Sequence, residues 1–335
     1  MTASLRRIMA AVLALIMALT VAVAAPQRAH AANRDWLRND STGQCEWDSA
    51  LFWVQNCTVW SPSMEKHIMV QIQPAGRGGN AGLYLLDGMR ATEEANAWTR
   101  EVNAAEIFAD SNITLVMPVG GAGSFYADWD KPATFDPKNV VKYRWETFLT
   151  AELPNYLRDN FGVDPSNNSI AGLSMGGTSA IALAGLHPNQ FRQAVSWSGY
   201  LTMTLPGWQT LLRVALLDVG GYNITAMYGS ILNPTRYLKD PFWLTQNLKH
   251  TDVVISSAPG IPGPNDTGVP FGQKLSGAAL EWLSRYSTTL WEVKARAEGV
   301  PVTVNYPATG LHNWMNWRDQ MWQTKPHILD YMGAW

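Results

Sequence analysis

At 335 residues, 47% of them hydrophobic, the chain is long enough to bury a full core. Its 25 basic and 27 acidic residues form no block of one sign, which excludes a nucleic-acid binder, because that role needs a basic stripe. Two cysteines and six scattered histidines offer no zinc-ligand spacing, and no metal or organic cofactor is expected.

Arg6 and Arg7 precede a long apolar run, Ile8 to Ala25, and Ala29-His30-Ala31 is an A-x-A cleavage triplet. This pattern predicts a signal peptide over residues 1–31, leaving residues 32–335 as one mature domain. A retained anchor is the rival reading, since the run can span a bilayer. The triplet and the polar Gln27-Arg28 favour removal. Cleavage removes three arginines and no acids, so the mature chain is mildly acidic. No second segment is apolar enough to span a membrane, so no integral span is expected after cleavage. Cys45 and Cys57 lie close together and, in an exported chain, are expected to pair as a disulfide.

Short apolar runs bounded by Gly, Pro or Asn predict strands at 68–72, 82–86, 113–118, 168–172, 193–196, 253–256 and 302–306. Helical patterns fall between several of them, at 98–109, 144–161, 178–186, 278–297 and 317–332. Strand-helix alternation implies an α/β fold: a mostly parallel central sheet with helices on both faces. The first strand pairs are open to being antiparallel. Residues 201–250 break the alternation, are apolar, carry Gly220-Gly221, and read as an insertion over the sheet. No internal repeat interrupts the chain.

The segment Ser169-Ile170-Ala171-Gly172-Leu173-Ser174-Met175-Gly176-Gly177 is a strand running into a glycine-flanked serine with a helix behind it. That is a nucleophile elbow. The turn is so tight that the positions two before and two after the serine must be nearly side-chain-free. It holds the hydroxyl of Ser174 clear, at the positive end of a helix. A serine needs a base, and the base needs an acid to orient it. Among the five histidines after residue 31, only His312 follows the carboxyl end of a predicted strand, the edge where catalytic groups collect in such sheets. For the acid, Asp266 and Glu281 both follow strand 253–256, and spacing does not separate them. The oxyanion needs two N–H donors. Met175 supplies one, and the loop Asp87-Gly88-Met89-Arg90 is placed to supply the other from Met89. Asp87 and Arg90 are expected either to pair with each other or to contact substrate. Most of the 16 tryptophans are expected to be core or half-buried packing, with Trp314 and Trp317, flanking His312, as candidates for a groove.

These residues resemble the secreted mycolyltransferases of mycolic-acid bacteria, the antigen 85 type. The matching segments are LDGMRATEEANAW (86–98), MPVGGAGSFYADW (117–129), YRWETFLTAELPNYL (143–157), AGLSMGGTSA (171–180), GGYNITAMYG (220–229) and ATGLHNWMNW (308–317). The resemblance implies an α/β-hydrolase fold with Ser174 as nucleophile, His312 as base and Glu281, rather than Asp266, as acid. It implies Met89 and Met175 as oxyanion donors and Asp87 and Arg90 at the sugar. Trp129 and Trp314, with Tyr126 and Trp317, are expected to shield the acylated serine. Its activity would be transfer of a mycolyl chain from trehalose monomycolate to a hydroxyl of trehalose, arabinogalactan or a small envelope protein. The location would be secreted, in the cell envelope. Ser257 stands where antigen 85 carries a cysteine, and Glu101 where it holds trehalose with an asparagine. The early cysteines and the absence of a C-terminal repeat extension are closer to corynebacterial members. Two other readings stand beside acyl transfer: a serine esterase of the same fold, and a surface protein that binds glycan or fibronectin.

Overall fold

The computed structural model describes residues 45–335. The expected signal peptide and cleavage triplet lie outside the described residues. The strands are β1 (Cys45–Trp47), β2 (Gln55–Ser61), β3 (Lys66–Gln73), β4 (Ala81–Leu86), β5 (Ile113–Pro118), β6 (Asn168–Leu173), β7 (Phe191–Trp197), β8 (Asp252–Ser256) and β9 (Val302–Asn305). They form one sheet in the order β1-β2-β3-β5-β4-β6-β7-β8-β9. From β5 through β4 to β9 every neighbour pairs in parallel, and β1, β2, β3 and β5 pair antiparallel. The mostly parallel sheet and its antiparallel start are as expected.

Burial explains the order. β4, β5 and β6 are buried at every position, as strands covered on both faces must be. The edge strand β9 is half exposed along its length. The hairpin β1-β2 was not anticipated, because Gln55, Asn56 and Thr58 interrupt its hydrophobic pattern. It is tied by a Cys45–Cys57 disulfide between directly opposed residues.

Helices cover both faces. The expected helix 98–109 is instead two short ones, α1 (Ala97–Arg100) and α2 (Ala104–Ile107). Asn103 between them takes a left-handed φ of 49°, which a continuous helix does not admit. The 144–161 segment starts as α3 (Trp145–Thr147), passes through a π turn at Phe148–Glu152, and ends as α4 (Leu153–Phe161). α5 (Met175–Leu186) follows β6 directly. The insertion consists of α6 (Trp208–Gly220), α7 (Ile224–Tyr228), α8 (Thr235–Leu238) and a 3-10 turn at Thr245–Leu248. Gly221 ends α6 in the left-handed region, the break read from the glycine pair. The insertion is stitched to the loop after β5 by backbone bonds from Asp130, Lys131 and Asn223 to Met227, Ala226 and Ala133. The long helix α9 (Phe271–Ala297) precedes β9, and α10 (Trp314–Met332) closes the chain.

Two buried clusters flank the sheet. One holds Tyr84, Ile170, Phe191 and Trp291, and the other Leu83, Trp98, Trp197 and Met321. Of the tryptophans, Trp98, Trp129, Trp145, Trp197, Trp208, Trp291 and Trp317 are buried, Trp47, Trp53 and Trp314 are half-buried, and Trp60, Trp243, Trp282, Trp322 and Trp335 are exposed.

α9 is built the wrong way round for an ordinary surface helix. Its buried face carries Ser276, Gly277, Glu281, Ser284, Ser287 and Thr288, and only toward its end Trp291 and Ala295. Its hydroxyls dock on the turn after β7: Ser284 and Thr288 both donate to the Gly199 carbonyl, and Ser287 bonds Thr202. Small side chains let the helix approach closely, and Glu281 sits in the middle of that contact.

Candidate active site

The elbow is formed by steric exclusion. Ser174 has φ 52° and ψ −119°, a strained conformation for a residue with a side chain. A methyl group on Gly172 would lie 2.4 Å from the Gly176 carbonyl carbon, and one on Gly176 would lie 2.5 Å from the carbonyl oxygens of Leu86 and Asp87. Only glycine fits at either position. The same close approach presses the 86–90 loop onto the elbow: a methyl on Gly88 would meet Leu173 Cδ1 at 2.9 Å. Met175 is the first residue of α5, where N–H groups have no partner within the helix. The N–H of Met89 likewise donates to no acceptor among the described residues, while its carbonyl is held by Gly123 N–H at 2.9 Å.

On the neighbouring elements, the carboxylate of Glu281 is saturated with hydrogen bonds. His312 Nδ1 lies 2.7 Å from Glu281 Oε2, and both residues are buried. A carboxylate only accepts, so Nδ1 carries the proton and Nε2 is left as the basic nitrogen. Glu281 Oε1 accepts from Ser198 Oγ at 2.7 Å, from Ala258 N–H at 2.7 Å and from Ser257 Oγ at 3.3 Å. The histidine loop is tied to α9 by His312 N–H to Gly277 O. Its ring meets Trp317 edge-on at 4.8 Å.

Tyr200 joins the two halves. Its N–H donates to Thr178 Oγ1, which itself donates to the Ser174 carbonyl. Its hydroxyl donates to the carbonyl of Leu280, beside Glu281, and its ring centroid is 6.1 Å from that of His312. Among the described residues, Ser174 Oγ makes no hydrogen bond. Catalytic bonds are often long in ligand-free enzymes and tighten on substrate.

Asp266, the rival acid, has a different task. Buried, it accepts from Asn313 Nδ2 at 2.5 Å and Asn316 Nδ2 at 3.0 Å with one oxygen, and from Gly263 N–H with the other. It therefore ties down the two asparagines that follow His312 and start α10.

The alternative that Asp87 and Arg90 pair with each other needs correction. Arg90 does not pair with Asp87; it bonds Asp218 at the end of α6, 2.5 Å away. Asp87 is 1% exposed, and both its oxygens accept from Ala97 N–H at the start of α1. Burial pushes its carboxyl up to about 7; the Ala97 bond pulls it down and the charge of Glu101 pushes it further up. This side chain ties the 86–90 loop to α1. Trp129 is also buried, its indole N–H on the Ser124 carbonyl, and packs on Tyr143 and Tyr222. Tyr126 is buried, its hydroxyl accepting from Asp87 N–H. Trp314 remains half exposed, against Trp98 and Trp317. Sequence reasoning missed Ser198 and the Ala258 N–H, because each reaches Glu281 through a turn that no motif marks. The position of Ser198, directly after β7 at the carboxyl edge, was the one available signal.

Comparison with known proteins bears on this geometry. Residues 61–328 match the family described as putative esterase. The chain is 38% identical over 283 residues to the diacylglycerol acyltransferase/mycolyltransferase Ag85B of Mycolicibacterium smegmatis, covering 84% of this chain and 86% of that protein. It is 38% identical to Ag85C of Mycobacterium avium, covering 82% of this chain and 76% of that one. Among solved structures, Mycobacterium tuberculosis MPT51 (FbpC1) superposes with a TM-score of 0.70 at 28% identity, over 83% of this chain and 98% of its own. The Staphylococcus aureus serine hydrolase FphF shares the fold, with a TM-score of 0.58 at 15% identity over 87% of this chain and 99% of its own. The chain belongs to the putative esterase family and, within it, to the Ag85 diacylglycerol acyltransferase/mycolyltransferases.

Proposed function

We propose that this chain is a serine-dependent mycolyltransferase that moves a long acyl chain from trehalose monomycolate to a second hydroxyl. The observation that carries the reading is the His312 Nδ1–Glu281 Oε2 bond of 2.7 Å at the same sheet edge as the elbow serine. His312 Nε2 takes the Ser174 proton as Oγ attacks the ester carbonyl. The carbonyl oxygen gains negative charge and receives the N–H groups of Met89 and Met175. Collapse of the tetrahedral species breaks the ester bond, and His312 returns the proton to the departing trehalose oxygen. The acceptor hydroxyl then loses its proton to His312 and attacks the acyl-serine; the acyl–Oγ bond breaks and His312 returns the proton to Ser174 Oγ. Glu281 stabilises the imidazolium formed in each half-reaction. No step calls for a metal or organic cofactor.

The donor is a trehalose mycolate, and the acceptor is a glycan or a small envelope protein. Residues 1–31 act as a cleaved signal, and residues 32–335 work as one domain in the cell envelope. Among the described residues no helix is long and apolar enough to cross a membrane.

A hydrolytic reading shares every residue of this mechanism, and the match to the putative esterase family favours keeping it in view. The two differ in whether water or a sugar hydroxyl takes the acyl group. Incubating the enzyme with trehalose monomycolate, with and without added trehalose, decides between them. Transfer predicts that isotope-labelled trehalose is converted to labelled monomycolate while free mycolic acid falls as trehalose rises, and that monomycolate alone, serving as its own acceptor, gives dimycolate and free trehalose. A free-acid yield indifferent to trehalose supports the esterase.

A further inference from the structure

Trp317 and Ser198 lie outside the serine, histidine and acid, yet donor bookkeeping links them to the acid in one direction only. An indole N–H can only donate, and a serine hydroxyl has a single hydrogen. Trp317 Nε1 lies 3.0 Å from Ser198 Oγ, so it occupies a lone pair on that oxygen. The hydroxyl hydrogen is thereby turned away from Trp317 and onto Glu281 Oε1, 2.7 Å away. The other oxygen of Glu281 holds His312 Nδ1. Trp317 also closes the chain from the opposite end, because its ring supports the His312 ring edge-on at 4.8 Å. One indole therefore touches both the histidine and the serine that holds its acid.

The backbone supports a built device. Ser198 is fully buried and has φ 54°, a left-handed conformation that glycine adopts at lower cost. Ser198 N–H is anchored on the Ser256 carbonyl at 2.7 Å. A buried serine kept where glycine is less strained points to a use for its hydroxyl.

We propose that Trp317 and Ser198 are positioning residues for acyl transfer: the indole sets the hydroxyl rotor, and the hydroxyl fixes the Glu281 carboxylate in the plane that orients His312. The proposal rests on the Ser174–His312–Glu281 reading above. Its step transfers no proton beyond those already described; Ser198 keeps its hydrogen throughout.

The test uses the full-length mature enzyme, a soluble p-nitrophenyl acyl ester, and thermal melting. Ser198→Gly removes the hydroxyl, and the backbone strain it relieves offsets the cost of the Trp317 N–H left unpaired, so it is expected to melt near the wild-type temperature while kcat falls about 10- to 100-fold and KM stays within about twofold. Trp317→Phe keeps an aromatic ring and removes the N–H, and is expected to lower kcat with KM likewise unchanged. The double variant is expected to be no slower than Ser198→Gly alone, since both changes cut one chain of bonds. Full kcat in Ser198→Gly, or effects that multiply in the double variant, overturns the relay. Ser198→Gly carries the test by itself should Trp317→Phe fail to fold. Ser174→Ala and His312→Ala run in parallel separate the two levels: if they stay active the underlying mechanism fails, whereas if they are inactive and Ser198→Gly runs at full rate only the relay fails.

Discussion

The serine side and the histidine side of this site are built by opposite means. Around Ser174 the order comes from exclusion and strain: glycines at 172 and 176 leave no room for a methyl group, and the serine backbone is held at positive φ. Its reactive groups, the hydroxyl and the N–H groups of Met89 and Met175, are left without partners among the described residues. Around His312 the order comes from saturation: Glu281 alone accepts from His312, Ser198, Ser257 and Ala258. One half is shaped to receive a ligand and the other is held ready before one arrives. A preorganised acid-base pair costs no rearrangement during reaction, and an open oxyanion site keeps its donors for charge that appears only in the transition state.

That contrast can be broken at several points. Ser174→Ala removes the nucleophile and is expected to lower acyl transfer by at least ~10⁴-fold with the fold intact, measured as product formation and melting temperature. Glu281→Gln keeps the shape but puts an amide where a carboxylate orients the histidine, and is expected to cost about 10³-fold in kcat with little change in KM. A Glu281→Gln enzyme near wild-type rate would show that saturation around the acid is structural only.

Asp87 tests the serine side through stability. Its carboxyl is raised in the folded chain from 3.8 to about 7, mainly by burial. Between those values the folded state binds more protons than the unfolded one, so this residue's contribution to stability falls as pH rises through that window. Asp87→Asn, which still accepts from Ala97 N–H, is therefore expected to raise the melting temperature at pH 7.5, with the gain shrinking toward pH 4. Every tenfold change in proton affinity between the folded and unfolded chain is worth about 1.4 kcal/mol. A variant that melts lower at pH 7.5 would mean the charged form is wanted there. Replacing Cys45 and Cys57 together by serine is expected to cost about 3 kcal/mol in denaturant unfolding, from the freed loop. Because the hairpin β1-β2 lies at the far edge of the sheet from β8 and β9, kcat is expected to hold. Smallest in reach is Gly176→Ala, which forces a methyl onto the Leu86 and Asp87 carbonyls and is expected to destabilise by about 1–3 kcal/mol. It should also lower kcat by shifting the 86–90 loop.

How far these features were legible follows from their physics. The strands β4 to β8 could be read because buried parallel strands are largely apolar runs, and β3 and β9 because β-branched residues recur in them. β2 could not, since its polar positions mask an edge hairpin held by a disulfide. Ser174 was legible from local sterics, which glycine spacing records directly. His312 was legible by position, as the one histidine after the carboxyl end of a strand. Glu281 and Asp266 could not be told apart from spacing, because both end up within reach of the 308–316 loop, one on His312 and the other on Asn313 and Asn316. Asp87 and Arg90, neighbours in a loop, looked like a pair; the fold turns one inward to α1 and the other outward to Asp218. Sequence proximity carries no record of which way a side chain is turned.

The central claim is that Ser174 carries the acyl group. The most direct measurement is intact-mass and peptide mapping of the enzyme quenched during turnover of trehalose monomycolate. The account predicts a mass increase of one acyl chain, located on the peptide containing Ser174 and absent from the Ser174→Ala and His312→Ala variants. Turnover to product with no acylated Ser174 peptide at any quench time, or an adduct on another residue, would contradict it.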